Sequence, residues 1–325
     1  MKLILQIPCH NEANTLPQTL DGLPASIPGI SCIETLVIDD GSDDGTADVA
    51  QQLGVNHVLR LERNRGLAYA FQAGMDHALR MGADIIVNTD GDNQYPADQI
   101  PLLVSPILEQ GADLVIGDRQ VDQLPHFSAL KRLLQRFGSR VVRAISETDV
   151  PDTVSGFRAY SREAALRLNV LSKYSYTLET IIQAGKIGLK IVSVPVRTNP
   201  PTRPSRLQRN MWHFIKSQAS TILRVYAYYE PLRTFTYVAL PFLMCGGLLL
   251  LRFLIFYLID SRGGARFLQS VTIGTGLLLI GFLIFIFGIQ ADISGKHRRL
   301  TEETLYRLRK MELNRPEDEK RPPSL

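Results

Sequence analysis

The stretch "DIIVNTDGDNQYP", residues Asp84–Pro96, joins an apolar run to an acidic turn. The run is short and rich in branched side chains, which is typical of a strand covered on both faces of a parallel sheet. The turn places Asp90, Asp92 and Gln94 at alternate positions around Gly91. A surface turn needs only one Asp or Asn and a glycine, so the additional oxygen-bearing side chains call for a chemical explanation.

Similar apolar runs alternate with helix-like segments along the N-terminal part of the chain. The runs are "KLILQI", "IETLVID", "HVLRL", "DLVIGD" and, later, "LKIVSVPVR", and the helix-like segments are Thr15–Leu23, Thr46–Leu53, Leu67–Met81, Ala97–Gln110, about Ser128–Ser146 and Tyr176–Ile187. This alternation predicts an α/β fold, a mainly parallel sheet with helices on both faces. Ligands of such sheets bind beyond the carboxyl ends of the strands, so we expect the acidic turns "IDDGSDDGT" and "NTDGDNQYP" to share one functional rim.

Two long apolar runs set the C-terminal part apart. Thr234–Ile259 and Phe267–Gln290 are each long enough to cross a bilayer, which takes about 20 apolar residues. We interpret them as two transmembrane helices; the alternative is a pair of buried core helices. Gly274, Gly281 and Gly288 recur at every seventh position and share one face of the second helix. The pattern predicts a close helix–helix contact, for which an interface between subunits is one candidate, against glycines placed at random.

The charge pattern predicts orientation and partners. The formal net charge of +4 gives no signal for binding nucleic acid. Basic residues concentrate before the first apolar run and after the second, which places both flanks in the cytoplasm of an integral inner- or plasma-membrane protein. Leu207–Tyr229 is amphipathic and predicts interfacial helices on the bilayer, with a soluble helix packed on the domain as the alternative. The predicted division is 1–206 for the α/β domain, 207–233 for interfacial helices, 234–290 for transmembrane helices and 291–325 for a basic tail with a disordered end.

The spacing of the acidic turn suits a metal ion. Two carboxylates and an amide at alternate positions can direct several oxygens to one point. Mg²⁺ and Mn²⁺ are commonly held by one or two carboxylates together with substrate phosphates. The sequence therefore favours a metal-bound diphosphate, and the alternative is a solvated Asp-Gly turn.

Five motifs in order carry a resemblance to a known family. They are "IPCHNEANTL", "VIDDGSDDGT", "NRGLAYAFQAGM", "NTDGDNQYPAD" and "DTVSGFR". They resemble the successive motifs of the family-two glycosyltransferases of GT-A fold, a Rossmann-like architecture. More narrowly, they resemble the polyprenyl-phosphate glycosyltransferases, the group that includes dolichol-phosphate mannose synthase. The resemblance covers about residues 1–230, and the two apolar runs match the membrane-anchored branch of that group.

The resemblance implies roles for the matching positions. Those that would border the nucleotide are Pro8, Asn11, Glu12, Asp39, Asp40, Asn64, Arg65, Gly66, Asp90 and Gly91. Asp90 and Asp92 would bind Mg²⁺ or Mn²⁺, with Gln94 as a further ligand. The side chains that would hold an acceptor phosphate are Arg119, Arg132 and Arg158, and for Arg132 a surface ion pair is the alternative.

The choice of acceptor decides whether a base is needed. A phosphomonoester with a second pKa near 6 is already largely dianionic at pH 7 and needs positioning more than deprotonation. Arginine grips phosphate oxygens with two donors, so a phosphate on a lipid tail fits a chain with acceptor-side arginines and a membrane anchor. Asp152 is the best candidate base if one is used, and an ion pair with an acceptor-site arginine is its alternative role.

These inferences combine into one predicted function. The chain is expected to be an inverting glycosyltransferase that moves one hexose-type sugar from a UDP- or GDP-sugar to undecaprenyl or dolichyl phosphate at the cytoplasmic membrane face. Asp92, Arg119 and Asp152 are its predicted catalytic residues, and a homo-oligomer is its expected state. The alternatives are a processive polysaccharide synthase and a non-catalytic scaffold that binds sugar nucleotides at the membrane.

Overall fold

The computed structural model describes residues 1–120, 129–170, 176–199, 229–259 and 268–313, with the side chains of 129–137 and 299 left aside. The chain divides into two compact units. The first comprises Met1–Gln218 with Glu303–Leu325, and the second comprises Ala219–Glu302. Most of the predicted interfacial segment, and the end of the predicted tail, lie outside the described residues.

A seven-stranded mixed sheet forms the centre of the first unit, in the order β3-β2-β1-β4-β6-β5-β7. Its strands are β1 Lys2–Cys9, β2 Cys32–Asp39, β3 His57–Arg60, β4 Ile85–Asn88, β5 Leu114–Asp118, β6 Arg158–Ser161 and β7 Ile191–Pro195. Strand β6 runs antiparallel to β4 and β5, and the other pairs are parallel. The prediction of a mainly parallel sheet is confirmed, and β6 is a strand that the sequence patterns did not reveal.

Helices cover both faces of this sheet. They are α1 Leu16–Leu20, α2 Thr46–Gln52, α3 Leu67–Arg80, α4 Ile100–Gln110, α5 Ala129–Ser146, α6 Arg162–Arg167 and α7 Tyr176–Lys186, with a 3₁₀ turn at Ala97–Gln99. Successive strand residues face opposite sides, so Leu3 and Leu5 join the core under α4, whereas Gln6 lies against α3. A Cβ added to Gly74 of α3 would lie 2.7 Å from Oε1 of Gln6, so this helix packs directly on the strand.

Two apolar helices, α8 Pro231–Ile259 and α9 Leu268–Leu313, are long and apolar enough to cross a membrane, judged by length and composition. Helix α9 extends well past Gln290, where the second apolar run was predicted to end, so the first part of the predicted tail is helical. Ion pairs four residues apart support this extension, Asp292 with Lys296 at 3.3 Å and Glu303 with Arg307 at 3.0 Å.

The glycine face of α9 packs against α8 of the same chain. A Cβ built on Gly281 would lie 2.8 Å from Cγ of Leu243, and one built on Gly288 would lie 2.7 Å from Cβ of Phe235. A Cβ built on Gly274 would lie 3.1 Å from the carbonyl oxygen of Gly246. The predicted close helix contact therefore exists within one chain, and this face gives no support for an interface between subunits.

Candidate active site

The carboxyl end of β2 holds the loop that precedes α3. Both oxygens of Asp40 accept main-chain hydrogen bonds, from the N–H of Arg65 and of Gly66, each at 2.8 Å. The Arg65 guanidinium lies 3.4 Å from the centre of the Tyr69 ring. Asn64 is exposed beside this loop. Asp40 is predicted to border the nucleotide. In the structure it fixes the loop at Arg65 and Gly66, which is also predicted to line the nucleotide site.

Asp39 presents an oxygen without a partner at the same strand end. Its side chain is buried, Oδ1 accepts the N–H of Ser42 at 3.0 Å, and Oδ2 has no hydrogen-bond partner among the described residues. The Nε of Arg60 stays 3.8 Å from Oδ2. A cavity of about 410 Å³ adjoins this strand end, lined by Gly41, Ser42, Asp43, Arg60, Leu61 and Glu62. An unsatisfied buried carboxylate oxygen is costly unless a ligand donates to it.

The end of β1 is tied to the turn after β2. Asn11 has a left-handed backbone with φ of 55°, its N–H donates to Oγ of Ser42, and its Oδ1 accepts the N–H of Asp43 at 3.0 Å. Glu12 is buried and accepts a hydrogen bond from Oγ1 of Thr15 at 2.6 Å. The predicted residues at the ends of β1 and β2 thus meet on one rim of the sheet.

The acidic turn after β4 approaches the end of β1 closely at Gly91. The hydroxyls of Thr15 and Thr19 donate to the Gly91 carbonyl at 3.0 and 3.2 Å. A Cβ added to Gly91 would lie 2.7 Å from Sγ of Cys9 and 3.6 Å from the carbonyl oxygen of Pro8. A side chain at position 91 would therefore crowd the Cys9 sulfur, and glycine allows the turn to lie close to β1.

Asp90 lies beside a second glycine, Gly156. A Cβ added to Gly156 would lie 3.1 Å from both carboxylate oxygens of Asp90 and 2.7 Å from the Tyr176 hydroxyl. Burial raises the pKa of Asp90 to about 7, and the nearby carboxylate of Asp92 adds to the rise. The described residues give this carboxylate no hydrogen-bond donor. The acidic turn therefore brings two half-buried carboxylates close together.

This donor set fits a hard divalent cation that also binds a phosphate. A desolvated carboxylate next to another carboxylate is unfavourable unless a cation compensates it. Carboxylate oxygens are ligands that Mg²⁺ and Mn²⁺ accept, with the remaining positions filled by water or substrate phosphates. Within the described part of the chain, no group of three or more His, Cys, Asp or Glu side chains could form a complete metal site. An ion held by Asp90 and Asp92 would thus take its remaining oxygens from water, from the predicted ligand Gln94 or from a bound substrate.

Arg119 and Asp152 form a buried ion pair next to this turn. Nε of Arg119 donates to Oδ2 of Asp152 at 2.7 Å, and Nη2 donates to Oδ1 at 3.0 Å. The main-chain N–H groups of Val154 and Ser155 donate to the same carboxylate. Burial alone would raise the pKa of Asp152, but Arg119 and these donors outweigh it and the pKa lies below its ordinary value. The structure thus has the ion pair that the sequence left as the alternative to a base.

Arg158 is not available to a phosphate in this structure, which corrects its predicted role. Its side chain is fully buried, and its guanidinium donates to main-chain carbonyls. The acceptors are the carbonyls of Ser155, Thr153 and Thr177 and the hydroxyl of Thr180. Arg158 therefore braces the loop before β6 against α7. The side chain of Arg132 lies outside the described residues, so its predicted role stays a prediction.

Sequence analysis missed a buried polar network behind Asp90. Nε2 of Gln6 donates to Oδ1 of Asn88 at 2.9 Å, and Nδ2 of Asn88 donates to the Gly156 carbonyl at 2.9 Å and to the Tyr176 hydroxyl at 3.1 Å. This network fixes Gly156 against the acidic turn. Polar residues inside apolar runs, such as Asn88 in "IIVN", were the available signal.

Tyr95 is a second residue whose role the sequence did not assign. It is buried, its ring stacks on Phe157 with centroids 4.8 Å apart, and its hydroxyl lies 3.5 Å from Oγ of Ser155. Burial would lower the pKa of Arg119, but Tyr95 and Asp152 raise it well above its ordinary value. Tyr95 thus connects the acidic turn to the Arg119 pair.

Comparisons with known proteins agree with this arrangement. The profile of glycosyl transferase family 2 matches residues 5–168. The chain is 30% identical over 206 residues to an undecaprenyl-phosphate mannosyltransferase of Micrococcus luteus, covering 60% of this chain and 83% of that protein. It is 29% identical over 206 residues to a polyprenol monophosphomannose synthase of Mycolicibacterium smegmatis, covering 60% and 76%.

Solved structures share the fold. Glucosyl-3-phosphoglycerate synthase of Mycobacterium tuberculosis, solved with Mn²⁺, uridine diphosphate and glucosyl-3-phosphoglycerate, superposes with a TM-score of 0.53 at 22% identity, covering 70% of this chain and 79% of that one. Mannosyl-3-phosphoglycerate synthase of Rubrobacter xylanophilus superposes with a TM-score of 0.52 at 18% identity, covering 69% and 74%. These neighbours establish the GT-A fold.

The family match spans the strand ends and the acidic turn that form the rim. The sequence-based predictions of the family, of the GT-A fold and of an enzyme are confirmed. The chain belongs to glycosyl transferase family 2 and is a glycosyltransferase of GT-A fold.

Proposed function

We propose that this glycosyltransferase moves a single hexose from a UDP- or GDP-sugar to a polyprenyl phosphate, with inversion at the anomeric carbon. The observation that carries the proposal is the closeness of two opposite charges, the acidic turn and Arg119. Asp90 and Asp92 place negative charge on one side, and the nearby Arg119 guanidinium lowers the pKa of Asp90. A cation-bound diphosphate suits the first group, and an acceptor phosphate suits the second.

The donor would bind along the rim formed by the ends of β1, β2 and β4. Asp39 offers a buried oxygen to an N–H or O–H group of the nucleotide, next to the cavity at the end of β2. Asp90 and Asp92 would hold the divalent ion, and Gln94 stays a predicted further ligand. That ion, when bound, neutralises charge on the departing nucleotide diphosphate.

The acceptor phosphate would be held by Arg119. A phosphomonoester dianion attacks without losing a proton, so the reaction needs orientation rather than a base. The lowered pKa of Asp152 and its pairing with Arg119 support a role in orienting the guanidinium. We therefore assign Asp152 a positioning role and keep Arg132 as a further candidate for the phosphate.

A lipid-linked acceptor agrees with the second unit of the chain. Helices α8 and α9 expose many large apolar side chains and are long enough to span a bilayer. The basic flanks favour a cytoplasmic position for both ends of this hairpin. The names of the Micrococcus and Mycolicibacterium relatives, which both specify a polyprenyl-type lipid and mannose, support the same acceptor and favour mannose among the hexoses. A homo-oligomer stays a prediction.

The experiment is a donor panel with lipid extraction. Membranes that contain the protein are incubated with undecaprenyl phosphate and one radiolabelled donor at a time. The donors are GDP-mannose, UDP-glucose and UDP-N-acetylglucosamine. The proposal expects label in one mild-acid-labile lipid that carries a single sugar. A polysaccharide synthase would give label in polymer instead. No labelled polyprenyl phosphate from any donor of a widened panel would contradict the proposed acceptor.

Matched variants separate catalysis from binding to the membrane. Asp92→Ala removes a carboxylate from the acidic turn, and Asp98→Ala removes an exposed carboxylate a short distance along the chain. We expect Asp92→Ala to abolish lipid labelling and Asp98→Ala to retain it, with equal amounts of both proteins in the membrane. Equal labelling by the two variants would remove the acidic turn from the mechanism.

A further inference from the structure

The chain that leaves β7 runs back across the acidic turn. This exit segment, residues 196–199, begins with the Val196 N–H donating to the Asp118 carbonyl at 2.9 Å. Arg197 then forms an ion pair with Asp98 at 2.6 Å, with both side chains well exposed. Asn199 is half-buried at the end of the segment. The exit segment is the last described part of the chain before residue 229.

Asn199 holds the acidic turn at two successive residues. Its main-chain N–H donates to the Gln94 carbonyl at 2.9 Å. Its side-chain Nδ2 donates to the Asn93 carbonyl at 2.9 Å and lies 3.4 Å from Oδ1 of the same residue. One asparagine therefore binds the turn through both its main chain and its side chain.

The part of the turn that Asn199 holds has an unusual backbone. Asn93 has φ of 58°, in the left-handed region, which asparagine adopts more readily than most non-glycine residues and which the contacts of Asn199 reinforce. Immediately after it, the N–H of Gln94 donates to Oδ1 of Asp92 at 3.1 Å. This hydrogen bond contributes to the direction of the Asp92 carboxylate and depends on the conformation of Asn93.

We propose that Asn199 is a positioning residue for the acidic turn: by holding Asn93 left-handed, it orients the Asp92 carboxylate for the divalent ion and the donor diphosphate. The inference rests on the proposed function, because it assumes that Asp92 binds the ion. It assigns a role in the donor site to the segment that leads out of the α/β domain. The three contacts join residues more than 100 positions apart, so the turn depends on the completed fold.

The exposed ion pair of Arg197 provides a matched control. Arg197→Ala removes a contact between the same exit segment and the residues after the turn, but the pair is exposed and does not touch residues 90–94. Exposed ion pairs contribute little to stability. Asn199→Ala removes the Nδ2 contacts and leaves the main-chain hydrogen bond to Gln94. The two variants therefore differ in the contact to Asn93.

The test measures Mn²⁺ binding by electron paramagnetic resonance of the free ion, with the full-length protein in detergent and either UDP or GDP present. Loss of a hydrogen bond that orients a ligand is expected to weaken Mn²⁺ binding about fivefold in Asn199→Ala. Arg197→Ala should bind as the unaltered protein does. In transfer assays, the half-saturating Mn²⁺ concentration and the donor KM should rise in Asn199→Ala, with kcat at saturating Mn²⁺ within about twofold.

The outcomes distinguish this inference from the proposed function. If Asn199 only stabilises the fold, Asn199→Ala lowers the melting temperature or the active fraction and leaves the Mn²⁺ midpoint unchanged, which overturns the inference. Equal shifts in both variants also overturn it. If the unaltered protein fails to bind Mn²⁺ both in the presence of UDP and in the presence of GDP, the proposed donor site itself fails.

Discussion

Arg119 and Asp152 form a two-point ion pair in which the arginine side chain is 10% exposed and the aspartate side chain 1% exposed. Two parallel N–H donors fix the plane of the guanidinium, and the main-chain donors of the following loop fix the carboxylate. In such a pair the acid determines where the arginine points. The pair therefore bears on stability and, under the proposed function, on acceptor binding.

A double-mutant cycle tests whether Asp152 acts through Arg119. Arg119→Ala should reduce transfer about a hundredfold or more, because the acceptor phosphate loses its bidentate partner. Adding Asp152→Ala to Arg119→Ala should reduce the rate by less than about threefold further, since an orienting residue has nothing left to orient. The measurement is kcat/KM for the lipid acceptor. A loss of kcat/KM in the double variant equal to the product of the two single losses would support Asp152 as the general base that the sequence suggested.

The same pair makes a stability prediction. Arg119→Ala leaves the Asp152 carboxylate buried without its counter-ion, and breaking a buried pair this way costs about 3–5 kcal/mol of unfolding free energy. The double variant, Arg119→Ala combined with Asp152→Ala, should recover part of the lost unfolding free energy, because the buried charge without a counter-ion is gone. Denaturant unfolding of the unaltered protein, Arg119→Ala and the double variant measures these differences in unfolding free energy. A double variant less stable than Arg119→Ala would contradict the interpretation.

The stability contributed by Asp152 should depend on pH. Its pKa is lower in the folded protein than the ordinary value near 3.8, so its contribution is fully present above that value and is lost as the pH falls through the folded pKa. Asp152→Asn should therefore melt below the unaltered protein at pH 7, with a difference that shrinks only as the pH falls below about 3.8. Melting curves at several pH values check the trend. A difference that grows on acidification would have the wrong sign.

Gly156→Ala should disturb Asp90 without removing any polar group. The new Cβ would meet both Asp90 oxygens at 3.1 Å and the Tyr176 hydroxyl at 2.7 Å. If Asp90 holds the ion as proposed, displacing its carboxylate by about 1 Å can cost about a hundredfold in rate. Tyr176→Phe is the control, because it removes a hydrogen bond from Asn88 and adds no atom next to Asp90. Transfer rates that fall equally in both variants would indicate that the network, rather than the space, matters.

The apolar hairpin offers a matched pair of glycines. Gly281 lies against Leu243, whereas a Cβ on Gly276 would meet nothing within 4 Å. Gly281→Leu should separate α8 from α9 and lower the melting temperature in detergent, and Gly276→Leu should leave it nearly unchanged. Thermal unfolding of both variants tests the contact. The same loss in both would show that leucine is harmful at either position for another reason.

Local sequence patterns predicted the parallel strands, the acidic turns that follow them and the glycine face of α9. The apolar runs ending at Asp39 and Asn88 are parallel strands, and their acidic turns share one rim because parallel strands end at the same edge. The spacing of Gly281 and Gly288 predicted the glycine face, but not that α8 covers it. The ion-pair spacing of Asp292 and Lys296 could have predicted that α9 continues beyond its apolar part.

The interior roles depended on distant packing and were beyond local patterns. Arg158 sits in a motif of polar and small residues, and only the approach of α7 shows that its donors are used by Thr177 and Thr180. Strand β6 is four residues long and lacks an apolar run, so no periodicity marked it. Asn199 meets the acidic turn across more than 100 residues of sequence. Such contacts need the folded chain.

A structure of the protein with a nucleotide sugar and Mn²⁺, with anomalous scattering used to locate the metal, tests the central claim most directly. The account expects the Mn²⁺ signal between the carboxylate of Asp92 and the diphosphate of the donor, with Arg119 on the side from which the acceptor phosphate approaches. A metal signal remote from Asp90 and Asp92, with the diphosphate bound away from this turn, would contradict it.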